Sequence, residues 1–129
     1  MKKIIILTII FVNTLFSNDL NLKFETNSYE INSAQKMQLD KYIDYLFSNF
    51  QLSIVVKGHT DSVGSKKDNI ILSDKRAQTV KNYIISAGIV NSRVESIACG
   101  ETSPKVKNNT AKNRQINRRV ETKEFVTFQ

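Results

Sequence analysis

The sequence predicts an α+β fold: a two-layer α/β sandwich in the order β-α-β-α-β-β, both helices packed on one face of a four-stranded mixed sheet. Three observations carry that expectation. Leu39, Ile43 and Leu46, and later Ala77, Val80 and Ile84, recur at helical spacing, each set forming one apolar stripe. Between them Ile54, Val55 and Val56 are apolar on consecutive positions, as in a central strand buried on both faces. Finally, 129 residues with four glycines and one proline hold no linker long enough to divide domains, so one modest core is expected.

Residues 1–17 stand apart from this fold. Lys2 and Lys3 precede an almost wholly apolar run over 4–12, and Phe16-Ser17-Asn18 offers a small residue for cleavage. This is the layout of a secretory signal peptide, its apolar stretch shorter than the roughly 20 residues that span a bilayer. An uncleaved N-terminal anchor or a buried first strand is the alternative. The domain is then expected over 18–129, with no transmembrane segment after cleavage. No Cys lies near the cut to carry an acyl anchor.

From residue 20 the elements follow in order. Leu20, Leu22 and Phe24 alternate with polar residues as a half-buried strand does, and Asn27 and Ser28 break it. Ser33 is the expected N-cap of the first helix, with Ala34, Phe47 and Phe50 extending its stripe. The strand over 52–56 is expected to end at Gly58. A polar loop holding His59, Thr60 and Asp61 turns at Gly64, and a helix with Ser73 as an internal cap runs to Gly88, a C-terminal glycine. Residues 94–98 make a third strand ended by Gly100. Residues 101–117 read as a long basic loop with at most one helical turn, and 120–128 as the last strand.

Composition limits the partners. The formal charge is +7, and removal of residues 1–17 deletes two lysines and no acid, leaving +5. Basic residues gather towards the C-terminus, in Lys105, Lys107, Lys112, Arg114, Arg118 and Arg119. No aromatic residues interleave with them to stack bases, which argues against nucleic acid. Cys99 is the only cysteine, so no internal disulfide forms, and its place beside Ile97 and Ala98 gives it the part of a small apolar residue. His59 is the only histidine and has no visible third ligand beside Asp61, so no metal and no cofactor are expected.

Several ordered blocks carry a resemblance. They are Phe24-x-x-Asn27-Ser28; Gly58-His59-Thr60-Asp61 with Gly64; Asn69-x-x-Leu72-Ser73-x-x-Arg76-Ala77-x-x-Val80; Gly100-Glu101-x-x-Pro104; and Asn117-Arg118-Arg119-Val120-Glu121. Together they resemble the OmpA-like C-terminal domain family over 20–125. The resemblance implies non-covalent peptidoglycan binding in the Gram-negative envelope, in the periplasm, at the cell wall or the outer membrane. It further implies that Asp61 and Arg76 hold the zwitterionic end of diaminopimelate in the stem peptide, with Thr60, Asn69 and Asn27 lining the pocket. The chemistry suits the residues: a carboxylate accepts from an ammonium, while a guanidinium grips a carboxylate through two parallel bonds. Read without the family, Asp61 is an Asx-turn residue and Arg76 a surface partner of Asp74 or Asp61. Arg118 and Arg119 alternate across a strand, one tied to the sheet's acids and the other at the pocket rim.

Two departures from the family pattern stand out. Asn113 precedes Arg114 where the family has glycine, and it is expected to take the left-handed backbone in its place. Cys99 replaces an aromatic residue, which implies looser packing of the third strand. The implied function is a binding module, freestanding in the periplasm or recruited by an envelope protein. An assembly protein that uses the fold for protein contacts alone is the second reading. A wall hydrolase is not expected, because no paired acid and base, metal-water site or activated nucleophile is visible.

Overall fold

The computed structural model of the chain describes residues 19–126, so the expected signal peptide lies outside the described residues. Four strands, β1 (Asn21–Lys23), β2 (Leu52–His59), β3 (Val94–Ala98) and β4 (Arg119–Val126), form one sheet in the order β1-β4-β2-β3. β2 and β3 run parallel while β4 is antiparallel to both β1 and β2, so the sheet is mixed as expected. Helices α1 (Ser33–Ser48) and α2 (Lys66–Ser86) pack on one face of it. A third helix, α3 (Ala111–Asn117), occupies the basic stretch before β4. Two turns form there rather than one, because Thr110 accepts the Asn113 amide as an N-cap and Asn117 fastens the preceding loop.

The core joins Leu39, Tyr42, Ile43 and Leu46 of α1 and Ala77, Val80 and Ile84 of α2 to Leu22, Ile54, Val56, Val94 and Val120 of the sheet. Several local expectations are corrected. The first helix is capped by Asn32, not Ser33: Asn32 Oδ1 accepts the Gln35 amide while Gln35 Oε1 accepts the Asn32 amide, a reciprocal capping box. Ala34, Phe47 and Phe50 do not continue the stripe. Ala34 lies exposed in the first turn, Phe47 on the outer flank, and Phe50 beyond the helix end with 81% of its surface exposed. Tyr42 takes the vacated core position, its hydroxyl 3.4 Å from Glu124. Ala87 is likewise exposed, although Gly88 does close α2, at φ +116°.

Gly58 does not end β2; it lies inside the strand, paired with both Ala98 and Val120. Its role is close approach. A Cβ there would stand 2.0 Å from the Ser73 carbonyl oxygen, so only glycine lets α2 lie this near the sheet. Ser73 is correspondingly no cap: α2 starts at Ser65, whose hydroxyl accepts the Asp68 amide. The Ser73 hydroxyl donates to Ile70 O and accepts the Gly100 amide, bolting the end of β3 to the helix. Asn113 is also corrected, since it sits in right-handed α3. The non-glycine residue with positive φ among those described is Asn27, at 59°.

Candidate functional site

β2 and α2 meet at the sheet end where β2 finishes, and the segment between them carries the expected site residues. Thr60, Asp61, Asn69, Arg76 and Asn27 line one small pocket of about 50 Å³, which Thr26, Val63, Leu72 and Arg118 complete. The five residues expected from the sequence are thus brought together.

Arg76 is fully buried, contrary to a surface pairing. Its Nε donates to Ser28 O at 2.7 Å, Nη1 to His59 O at 2.9 Å and Nη2 to Glu25 O at 3.0 Å. One guanidinium therefore ties the loop after β1 to the end of β2. Its carbon lies 5.3 Å from the centroid of the Phe24 ring. Three of its five N–H groups are spent on carbonyls, which leaves two for another acceptor. Burial, and secondarily the Arg118 charge, lower its pKa to about 10 against the opposing pull of Asp61, so it stays cationic at neutral pH.

Asp61 faces this cation across the pocket without a direct bond to it. Its Oδ1 accepts the Val63 amide at 3.0 Å, so the Asx-type loop bond does form. Its Oδ2 accepts from Arg118 Nη1 at 3.1 Å. Arg118 also donates from Nε to Phe24 O. The adjacent Arg119 points to the other side of the strand and pairs with Glu121 at 3.3 Å. Alternation along the sequence anticipated this split, and the pairing now assigns the pocket to Arg118. A carboxylate offers about four acceptor positions, so Asp61 retains capacity for a further donor.

The neutral residues work mainly on the loop. Asn69 Nδ2 donates to Glu101 Oε1 at 2.8 Å, to Val63 O at 3.1 Å and to Asp61 O at 3.3 Å. Thr60 donates its hydroxyl to Asp61 O, and its amide to Gly100 O. Asn27 holds its left-handed turn between Glu25 and Ser28, two of the three residues whose carbonyls Arg76 grips. His59 lies in β2 rather than in the loop, almost fully buried, with Nε2 3.1 Å from Glu121 Oε2. Burial and Arg119 lower its pKa to about 4 despite Glu121, so it is neutral at pH 7. Burial likewise raises the Cys99 thiol, which keeps it protonated and unreactive. Among the described residues no cluster of three or more His, Cys, Asp or Glu side chains is arranged to hold a metal.

The fold is thus a small α+β domain in which one carboxylate and two guanidinium groups surround a single pocket. The chain belongs to the OmpA family, whose model matches residues 23–118. It is 34% identical over 103 residues to outer membrane porin F of Pseudomonas aeruginosa, covering 79% of this chain and 29% of that protein. It is 32% identical over 96 residues to the peptidoglycan-associated lipoprotein of Buchnera aphidicola, covering 74% of this chain and 56% of the relative. The chain thus spans between about a third and about half of these curated relatives. The crystal structure of the peptidoglycan-associated lipoprotein from Burkholderia pseudomallei superposes with a TM-score of 0.78 at 25% identity, covering 81% of this chain and 89% of that one. Among the described residues no helix is long and apolar enough to cross a membrane.

Proposed function

We propose that this chain binds peptidoglycan non-covalently in the Gram-negative envelope, through the free zwitterionic end of diaminopimelate in the stem peptide. The observation that carries the reading is the placement of Asp61 and Arg76 in the lining of one small pocket, unbonded to each other. Asp61 receives the ammonium, and the two remaining N–H groups of Arg76 receive the carboxylate. Arg118, already on Asp61 at 3.1 Å, either yields its place to the ammonium or adds a second cation for the ligand's carboxylate. The relatives named for peptidoglycan association support the polymer class and an envelope location. Their names refer to peptidoglycan association and to the outer membrane.

The test is co-sedimentation with diaminopimelate-type sacculi. Asp61→Asn keeps the Val63 amide bond while removing the charge, so it isolates ligand pairing from loop stability. Arg76→Lys keeps the charge and loses the fork. The reading expects both folded variants to release the sacculi by about tenfold or more. Undiminished binding by both, abolished in each case by salt, would replace it with a diffuse attraction to the basic surface. The alternative role in protein contacts alone predicts a folded wild type that does not sediment.

A further inference from the structure

We propose that the basic stretch over 102–119 is a second contact surface for the same polymer, one that meets free carboxylates of the stem peptides around the end held in the pocket. The inference rests on the peptidoglycan reading above. Residues 102–119 carry six cations and no acid, more than the whole formal charge of +5 over 18–129. Two of the six are spent inside the protein, Arg118 on Asp61 and Arg119 on Glu121. Lys105, Lys107 and Lys112 are exposed, and no ion pair among the described residues holds them. The stretch is braced rather than loose. The one buried side chain in 101–117 is Asn117, and it spends its amide on the stretch itself. Its Oδ1 accepts the Lys105 and Val106 amides, and its Nδ2 donates to Val106 O and Asn108 Oδ1. No apolar side chain of 101–117 is buried, so these bonds fix a basic surface and add nothing to the core.

Continuity with the pocket argues for the occupant. The stretch is fastened there at both ends: Glu101 Oε1 accepts from Asn69 before it, and Arg118 donates to Asp61 at its close. A ligand end seated between Asp61 and Arg76 therefore brings the rest of its polymer beside the exposed lysines. That polymer bears further free carboxylates, on the glutamyl residue next to diaminopimelate and on neighbouring stems. Their sign complements the surface. Lysine suits them, because a compact charge on a flexible stem meets carboxylates at varied positions, where a guanidinium fork asks for one geometry. Each exposed pair is weak and screened by salt. Several together, next to a specific pocket, strengthen binding to the polymer without changing the affinity of the pocket for its own ligand end.

The test compares wild type with the combined variant Lys105→Gln, Lys107→Gln and Lys112→Gln, its fold verified by circular dichroism. Calorimetry with free meso-diaminopimelate reads the pocket, and co-sedimentation with sacculi in about 0.05 M and about 0.5 M salt reads the surface. The proposal expects equal affinity of the two proteins for meso-diaminopimelate. It expects the variant to bind sacculi about tenfold more weakly in low salt, and the two proteins to converge in high salt. Equal sacculus binding in low salt overturns the inference and leaves the pocket reading standing. A matching loss of meso-diaminopimelate affinity in the variant overturns it too, by making the lysines part of the pocket. A wild type that does not bind meso-diaminopimelate removes the pocket reading and this inference with it. Phosphatidylglycerol vesicles are the control for the other anionic surface of an envelope. Lysine-dependent binding to them, with no lysine dependence on sacculi, assigns the surface to lipid and overturns the proposal.

Discussion

Each end of the sheet is knitted by an arginine that grips three backbone carbonyls, and the two ends are otherwise opposites. Arg93 joins the close of α1 to the start of β2 through Leu46, Asn49 and Leu52. Arg76 joins the loop after β1 to the close of β2 through Glu25, Ser28 and His59. Three carbonyls alone are therefore a structural device. What distinguishes Arg76 is its company: full burial, a facing carboxylate, a second guanidinium and a pocket between them. Arg93 instead sits between uncharged turns tipped with exposed phenylalanines.

The comparison breaks most visibly at Arg76. Arg76→Ala orphans three carbonyls and is expected to cost about 3–5 kcal/mol of stability in urea denaturation. For that reason Arg76→Lys, rather than alanine, is the informative variant for ligand binding. Acid sharpens the contrast next. His59 has a folded pKa of about 4 against an ordinary 6.5, and it faces Glu121 and Arg119 on one side while its carbonyl holds Arg76. Between those values the unfolded chain takes up a proton that the folded chain refuses. Stability supplied by neutral His59 is thus complete above pH 6.5 and lost as pH falls towards 4, by about 3 kcal/mol at most. Hydrogen exchange is expected to accelerate at 58–61 before 50–54 over that window, and His59→Gln to remove the slope. The smallest effect belongs to Arg93→Ala, about 1–3 kcal/mol from its own carbonyls. Its affinity for sacculi should be unchanged; a parallel loss of binding would show that the two arginines are not separable.

Much of this arrangement was legible in the sequence because it rests on periodicity and on ordered short motifs. The stripes of α1 and α2, the central strand and the convergence of Asp61, Arg76, Thr60, Asn69 and Asn27 follow from such signals. What was not legible depends on distances between segments. Gly58 reads as a strand end, yet it is retained inside β2 because the Ser73 carbonyl passes where its Cβ would be. Ser73 reads as a cap, yet its partner is Gly100, 27 residues away. Phe47 and Phe50 fit a helical stripe, but Phe47 is turned outward in the last helical turn and Phe50 lies beyond the helix end at Ser48. Asn113 was misplaced because the capping by Thr110 starts a helix where a left-handed turn was expected. The Arg118 contact with Asp61 spans 57 residues, and alternation alone could not say which of the two arginines makes it.

The central claim is that the pocket recognises both charges of one ligand end. The most direct measurement is competition: folded protein bound to sacculi is challenged with free meso-diaminopimelate, with pimelate, which lacks the ammonium groups, and with cadaverine, which lacks the carboxylates. The account predicts release by meso-diaminopimelate and retention with the other two. Equal release by pimelate would contradict it, leaving a guanidinium site for carboxylates in which Asp61 has no part.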